Sequence, residues 1–130
     1  MNPIEHLLLI DDSEATNNFH NRLLSKLNFA KTISICTNGK EGLDFLTDSK
    51  QCPDLIFLDL NMPVIDGFEF LSMVHAPLEK IGNQKPLIVI LTSSEESVDK
   101  ERCKSLYDNI EFYSKPLTIA QINELSQLLA

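Results

Sequence analysis

Short apolar runs alternate with amphipathic stretches along this chain, and the apolar runs end on polar residues. Residues 7–10 are continuously apolar, the pattern of a strand buried on both faces. Residues 13–27 follow with Ala15, Phe19, Leu23 and Leu27 at fourfold spacing, which predicts a helix with those four on its inner face. Residues 32–36, rich in Ile, predict a second strand, and residues 38–47 a helix opened by Asn38 with Glu41 three positions on. Residues 55–58 predict a third strand, and residues 67–74 a short helix carrying Phe70, Leu71 and Val74. Residues 87–91 are all aliphatic and predict a fourth strand; a charged helix follows from Ser93, with Glu96 as its capping partner, and runs to residue 105. Its apolar face is thin, chiefly Val98 and Cys103. Residues 109–113 predict a fifth strand. The last helix has the clearest start: Thr118 and Gln121 form a capping box, flanked by Leu117 and Ile122 as a hydrophobic staple. Ile119, Ile122, Leu125 and Leu129 supply its expected inner face. Residues 75–86, with Pro77, Gly82 and Pro86, read as a loop holding at most one helical turn.

Five strands alternating with five helices imply a doubly wound parallel α/β sheet covered on both faces. Right-handed crossovers leave few topologies, and the commonest for five strands is the flavodoxin-like order 2-1-3-4-5. In that order ligands bind beyond the carboxyl ends of strands 1 and 3, where the winding reverses.

Length and charge narrow the function. The 130 residues are one domain's worth of chain, expected to be a single unit over 1–130 with no output domain. A net charge of −8 argues against direct nucleic-acid binding and suits a chain that binds cations or basic partner surfaces. Cys36, Cys52 and Cys103 are odd in number, far apart and without a CxxC, so free thiols in a reducing cytoplasm are expected. The apolar run before Asp11 is too short for a signal peptide or a membrane-spanning helix, and no membrane association is expected.

The polar residues that close the strands carry the chemistry. Strand 1 ends in Asp11 and Asp12, strand 3 in Asp59, strand 4 in Thr92, and strand 5 in Ser114 and then Lys115. All fall on one edge of the sheet, with three carboxylates crowding the switch point. Two like charges ~4 Å apart repel by about 4 kcal/mol at an effective dielectric near 20, so either a proton or a cation must intervene. Several oxygens at an open site suit Mg²⁺, which accepts one or two carboxylates plus a phosphate. A carboxylate is a competent phosphoryl acceptor, and a metal, Lys115 and the Thr92 hydroxyl could each hold one phosphoryl oxygen.

These residues resemble the response-regulator receiver family of two-component signalling, in its stand-alone, chemotaxis-regulator-like form. The resemblance covers the chain from Leu7 to Leu129: the pair Asp11-Asp12, the segment from Pro53 through Asp59 to Pro63 with Asp66-Gly67, Thr92, and Lys115-Pro116. It implies that Asp59 is the phosphoacceptor. It implies that Asp12 binds Mg²⁺ (or Mn²⁺) directly, Asp11 mainly through water, Asn61 through its backbone carbonyl and Asp59 through a carboxylate oxygen. Thr92 and Lys115 are then the phosphoryl-holding pair, and Lys115–Pro116 is expected to be cis. Phe112 falls at the family's aromatic switch position but lacks the hydroxyl of the common Tyr. Ser93 leaves room for the phosphodonor, and Asn61 and Ser94 match positions that tune phosphate lifetime. The implied partners are a histidine kinase or histidine phosphotransfer protein and an output protein reading the strand 5 face. The implied function is a cytoplasmic phosphorelay switch, not a metabolic enzyme.

Other readings compete. A passive phosphate shuttle or sink would use the same site without an output, and a degenerate receiver would act only as a scaffold. An aspartyl-phosphate phosphohydrolase of the haloacid dehalogenase type wants a second Asp two residues after its nucleophile, where this chain has Asn61. A flavodoxin wants a hydroxyl-rich phosphate loop where Asp11 and Asp12 would repel the flavin phosphate.

Overall fold

The computed structural model describes residues 3–62, 64–82, 85–93 and 99–129. The apolar runs become five parallel strands: β1 (Ile4–Ile10), β2 (Ala30–Cys36), β3 (Leu55–Asp59), β4 (Leu87–Thr92) and β5 (Ile110–Ser114). They pair in the order β2-β1-β3-β4-β5, as expected. The three inner strands are nearly all apolar because both their faces are covered. Alternation then divides the core in two. Leu8, Ile10, Ile56, Leu58, Ile88 and Ile90 face one side of the sheet, while Leu7, Leu9, Leu55, Phe57, Val89 and Leu91 face the other.

Helices cover both sides. α1 (Glu14–Lys26) and α6 (Ile119–Leu129) bring Leu24, Ile122 and Leu125 to the second core. α2 (Gly39–Asp48), α3 (Gly67–Met73), α4 (His75–Ile81) and α5 (Lys100–Leu106) bring Leu46, Phe70, Leu78 and Cys103 to the first. Side chains start the helices where backbone N–H groups lack partners. Asn38 accepts from Glu41 N–H at 2.8 Å, and Asp66 and Glu69 close a reciprocal capping box. Thr118 and Gln121 do the same with both bonds at 3.1 Å, as their spacing predicts.

Three sequence expectations need correction. The expected inner face of α1 holds only in part: Leu23 and Leu27 pack half-buried against the second core, but Ala15 is exposed and Phe19 is 49% exposed, whereas Asn17, His20 and Leu24 are buried. The inner face is partly polar because Asn17 and His20 serve buried backbone groups described below, so an apolar-only template selects the neighbouring stripe. Residues 75–86 are not mostly loop. α4 starts directly after Val74, which ends α3. Pro77 is tolerated because it lies in the first turn, where its missing N–H has no helical partner anyway. Ile119 is 55% exposed; Leu117, in the preceding connection, is buried in the second core instead.

The expected helix start at Ser93 and Glu96, and Val98 on its inner face, fall largely on 94–98, outside the described residues. The described α5 begins at Lys100, with Asp99 accepting from Arg102 N–H at 3.0 Å. Among the described residues, no helix is long and apolar enough to cross a membrane.

Candidate functional site

The strand ends converge as the alternating pattern requires. Asp59 is the last residue of β3, and Asp11 and Asp12 follow β1 directly. One carboxylate oxygen from each of the three lies within 4.8 Å of the others. Asp59 and Asp11 are buried, and Asp12 is exposed at the rim. Thr92 ends β4, buried, in register with Ser114 of β5. Lys115 reaches back from the next position, placing its Nζ 2.8 Å from Asp11 Oδ2 and 3.4 Å from Asp59 Oδ1. Lys115–Pro116 is cis, as the resemblance implies.

The connection after β3 is held tightly. Asn61 N–H donates to Asp59 Oδ1 at 3.2 Å, and Gly67 N–H donates to Leu60 O at 2.9 Å. A Cβ on Gly67 would lie 2.7 Å from Leu60 Cα, and one on Gly39 would lie 2.7 Å from the Ile65 carbonyl oxygen. Both glycines therefore let α2 and α3 approach the backbone that follows Asp59. Gly67 belongs to the Asp66-Gly67 pair that the resemblance rests on, whereas Gly39 was not picked out from the sequence, since a helix-initial Gly has no distinctive pattern of its own.

Burial pushes the Asp59 carboxyl up to about 6, with the charge of Asp11 adding to the rise and Asp12 contributing less; Lys115 and the Asn61 N–H pull the other way. For Lys115, burial works to lower the pKa, but its contacts with Asp11 and Asp59 win and the net shift is upward. It is therefore a firmly held cation.

The donor set fits a divalent cation. Three carboxylates against one ammonium leave two formal negative charges. Asp11 Oδ1 is engaged by Ser13 N–H at 2.9 Å. Asp11 Oδ2 is fully buried and has the Lys115 ammonium 2.8 Å away as its charge partner, with no hydrogen bond to it among the described residues. A buried carboxylate oxygen left in this way favours a positively charged neighbour.

Phe112 lies on β5 in register with Ile90, half-buried against the first core, with Lys100 Nζ 5.5 Å from its ring centroid. Asn61 is exposed at the rim beside Asp59. Ser94, expected beside the site, lies outside the described residues, as does Pro63 of the motif.

Two site-supporting residues were missed. Asn17 Nδ2 donates to Asp11 O at 2.9 Å, and His20 Nε2 accepts from Leu117 N–H at 3.3 Å. Their available signal was the spacing of Asn17, His20 and Leu24, which puts two polar residues in line with a core Leu.

The fold and this edge define a phosphoacceptor class of signalling domain. Residues 7–127 match the response regulator receiver domain family, and the chain belongs to it. It is similar to hybrid signal transduction histidine kinase A of Dictyostelium discoideum, 32% identical over 119 residues that make up 90% of this chain and 5% of that protein. Among solved structures it resembles Vibrio cholerae chemotaxis protein CheY4 (TM-score 0.76, 23% identity, 98% of this chain and 99% of that one). It also resembles the receiver domain of the histidine kinase CKI1 from Arabidopsis thaliana complexed with Mg²⁺ (TM-score 0.78, 21% identity, 95% and 91%). The chain spans 5–8% of the length of the first curated relatives it matches.

Proposed function

We propose that Asp59 accepts a phosphoryl group from the phosphohistidine of a histidine kinase or phosphotransfer protein, and that a partner protein reads the resulting change. The observation that carries this reading is the setting of Asp59: a buried carboxylate at a strand end, between a lysine ammonium and two further carboxylates. Its Oδ1 is engaged by Asn61 N–H and faces Lys115, so Oδ2 is assigned as the attacking atom. Oδ2 forms the new bond to phosphorus as the P–N bond of the donor breaks. The bonding pair stays on the imidazole nitrogen, which takes a proton from solvent. Lys115 and the Thr92 hydroxyl are assigned to phosphoryl oxygens, where charge-assisted hydrogen bonds are strongest.

Asp12, Asp59 and the Asn61 carbonyl would hold Mg²⁺, with Asp11 acting through water. Bound there, Mg²⁺ supplies neutralisation of the phosphoryl oxygens and keeps Asp59 ionised. Membership in a phosphoacceptor family supports a switch acting by contact in the cytoplasm, with no substrate turnover of its own.

The test is intact mass after incubation with acetyl phosphate. We expect a gain of one phosphoryl group with Mg²⁺ and none with EDTA, through a base-labile acyl bond. Asp59→Asn should abolish the gain. If that variant is phosphorylated as fully as the wild type, the assignment is wrong.

A further inference from the structure

The backbone around Lys115 raises a question of donors. From residue 115 to residue 118 there are three N–H groups, because Pro116 has none. Lys115 N–H donates to Thr92 O at 2.7 Å. Thr118 N–H donates to Gln121 Oε1 at 3.1 Å, closing the start of α6. Leu117 N–H lies in the buried interior, with its residue 2% exposed, and donates to His20 Nε2 at 3.3 Å. The partner of this third donor is thus a side chain from α1, on the far side of the chain in sequence.

His20 is itself 1% exposed. Most positions on a buried helical face hold apolar residues, and an imidazole there must have its polar atoms satisfied. Accepting from Leu117 requires an unprotonated Nε2, which places the ring proton on Nδ1. Burial is the main influence on this ring and lowers its pKa; the nearby charge of Asp11 raises it and that of Lys115 lowers it. The net direction agrees with a neutral acceptor. One turn earlier on the same helix, Asn17 holds the carbonyl of Asp11. α1 therefore grips two connections at once, the one bearing Asp11 and the one bearing Lys115. The ends of those connections meet in the ion pair at 2.8 Å.

We propose that His20 is a positioning residue for phosphoryl transfer, whose bond to Leu117 N–H fixes where the Lys115 ammonium stands between Asp11 and Asp59. The inference rests on the function proposed above. His20 touches no phosphoryl oxygen; it acts through the backbone that carries Lys115. Without it, Leu117 N–H loses the acceptor it has among the described residues, and residues 115–117 must shift to find another. A side chain as long as Lys tolerates a shift of its backbone, but only by losing the geometry its ammonium holds toward both carboxylates.

The experiment measures phosphorylation of the full chain by acetyl phosphate with saturating Mg²⁺ in four variants. His20→Leu should be about tenfold slower than wild type, equivalent to about 1.4 kcal/mol of transition-state stabilisation. His20→Gln offers an amide oxygen to the same N–H and should stay within about threefold of wild type. The decisive readout is the Lys115→Ala background. If His20 works through Lys115, adding His20→Leu to Lys115→Ala should change the rate by less than about twofold.

A tenfold loss that persists without Lys115, a His20→Leu rate equal to wild type, or a folded Gln variant as slow as Leu would each overturn the proposal. Should His20→Leu not fold, the Gln variant and amide exchange of Leu117 in the wild type decide. Protection of that amide supports the bond, and exchange at the rate of an open amide overturns it. A wild type that gains no phosphoryl group fails the functional reading itself, a result none of the His20 outcomes imitates.

Discussion

Replacing Asp59 by Asn should make the metal-free protein more stable at neutral pH, even as it removes the proposed phosphoacceptor. Asn has nearly the same shape and keeps an oxygen for the Asn61 N–H, but it carries no charge into the buried site. The folded protein holds the Asp59 carboxyl at about 6 against an ordinary 3.8. A rise of roughly two corresponds to about 3 kcal/mol of penalty on the ionised, folded form. Part of this is offset in the variant, because Lys115 loses its 3.4 Å contact with Asp59, although it keeps Asp11 at 2.8 Å. The expected gain is about 1–3 kcal/mol, or roughly 4–12 °C in Tm for a chain of this size.

Its pH dependence has a definite sign. Below about 4 the carboxyl is protonated in both folded and unfolded states and contributes nothing. Between 4 and 6 the folded wild type binds the extra proton, so its stability falls as pH rises. Above about 6 the penalty is complete and the advantage of Asn is full. Urea unfolding in EDTA at pH 4 and pH 7.5 measures both ends. Mg²⁺ at pH 7.5 should narrow the gap, since it stabilises whichever form binds it more tightly. An Asp59→Asn variant less stable than wild type at pH 7.5 without metal, or an advantage equal at the two pH values, would refute the electrostatic account.

Two further changes probe the surroundings. Gly67→Ala forces a Cβ to within 2.7 Å of Leu60 Cα and should cost about 1–3 kcal/mol in urea unfolding while slowing phosphorylation by displacing the connection after Asp59. An unchanged stability would show that the connection yields freely. Thr92→Ala should still accept phosphate on Asp59 but lose most of the beryllofluoride-induced change in amide exchange over residues 100–113, because the hydroxyl assigned to the phosphoryl group is gone. Equal exchange changes in both proteins would remove Thr92 as the coupling residue.

The strands and the site edge were legible because four of the five apolar runs stop at residues whose chemistry is unmistakable: Asp11, Asp59, Thr92 and Lys115 lie where the sheet must present them. What escaped was polar structure inside apolar surroundings. Asn17 and His20 were hidden because hydrophobic periodicity counts them as solvent-facing, whereas their partners, Asp11 O and Leu117 N–H, lie far off in sequence or in another connection. Pro77 misled for a related reason. It reads as a breaker, yet at the third residue of α4 it removes a donor that no helical bond would have used. Ile119 shows the limit of counting by threes and fours: the spacing is right, but Leu117 already occupies the core beside it.

The dryness of the sheet beneath Asp59 has a temporal consequence. Every residue of β3 is buried, and so are its neighbours Ile88 to Leu91 on β4 and Leu7 to Ile10 on β1. Water able to cleave an acyl phosphate on Asp59 must therefore come from the open side, past Asp12 and Asn61, which are exposed at the rim. If Asp59 is phosphorylated as proposed, the lifetime of the phosphate would be set at the surface, while the strength of the fold is set below it. On the proposed function, altering a rim side chain such as Asn61 would change that lifetime without touching the slab that keeps the domain folded.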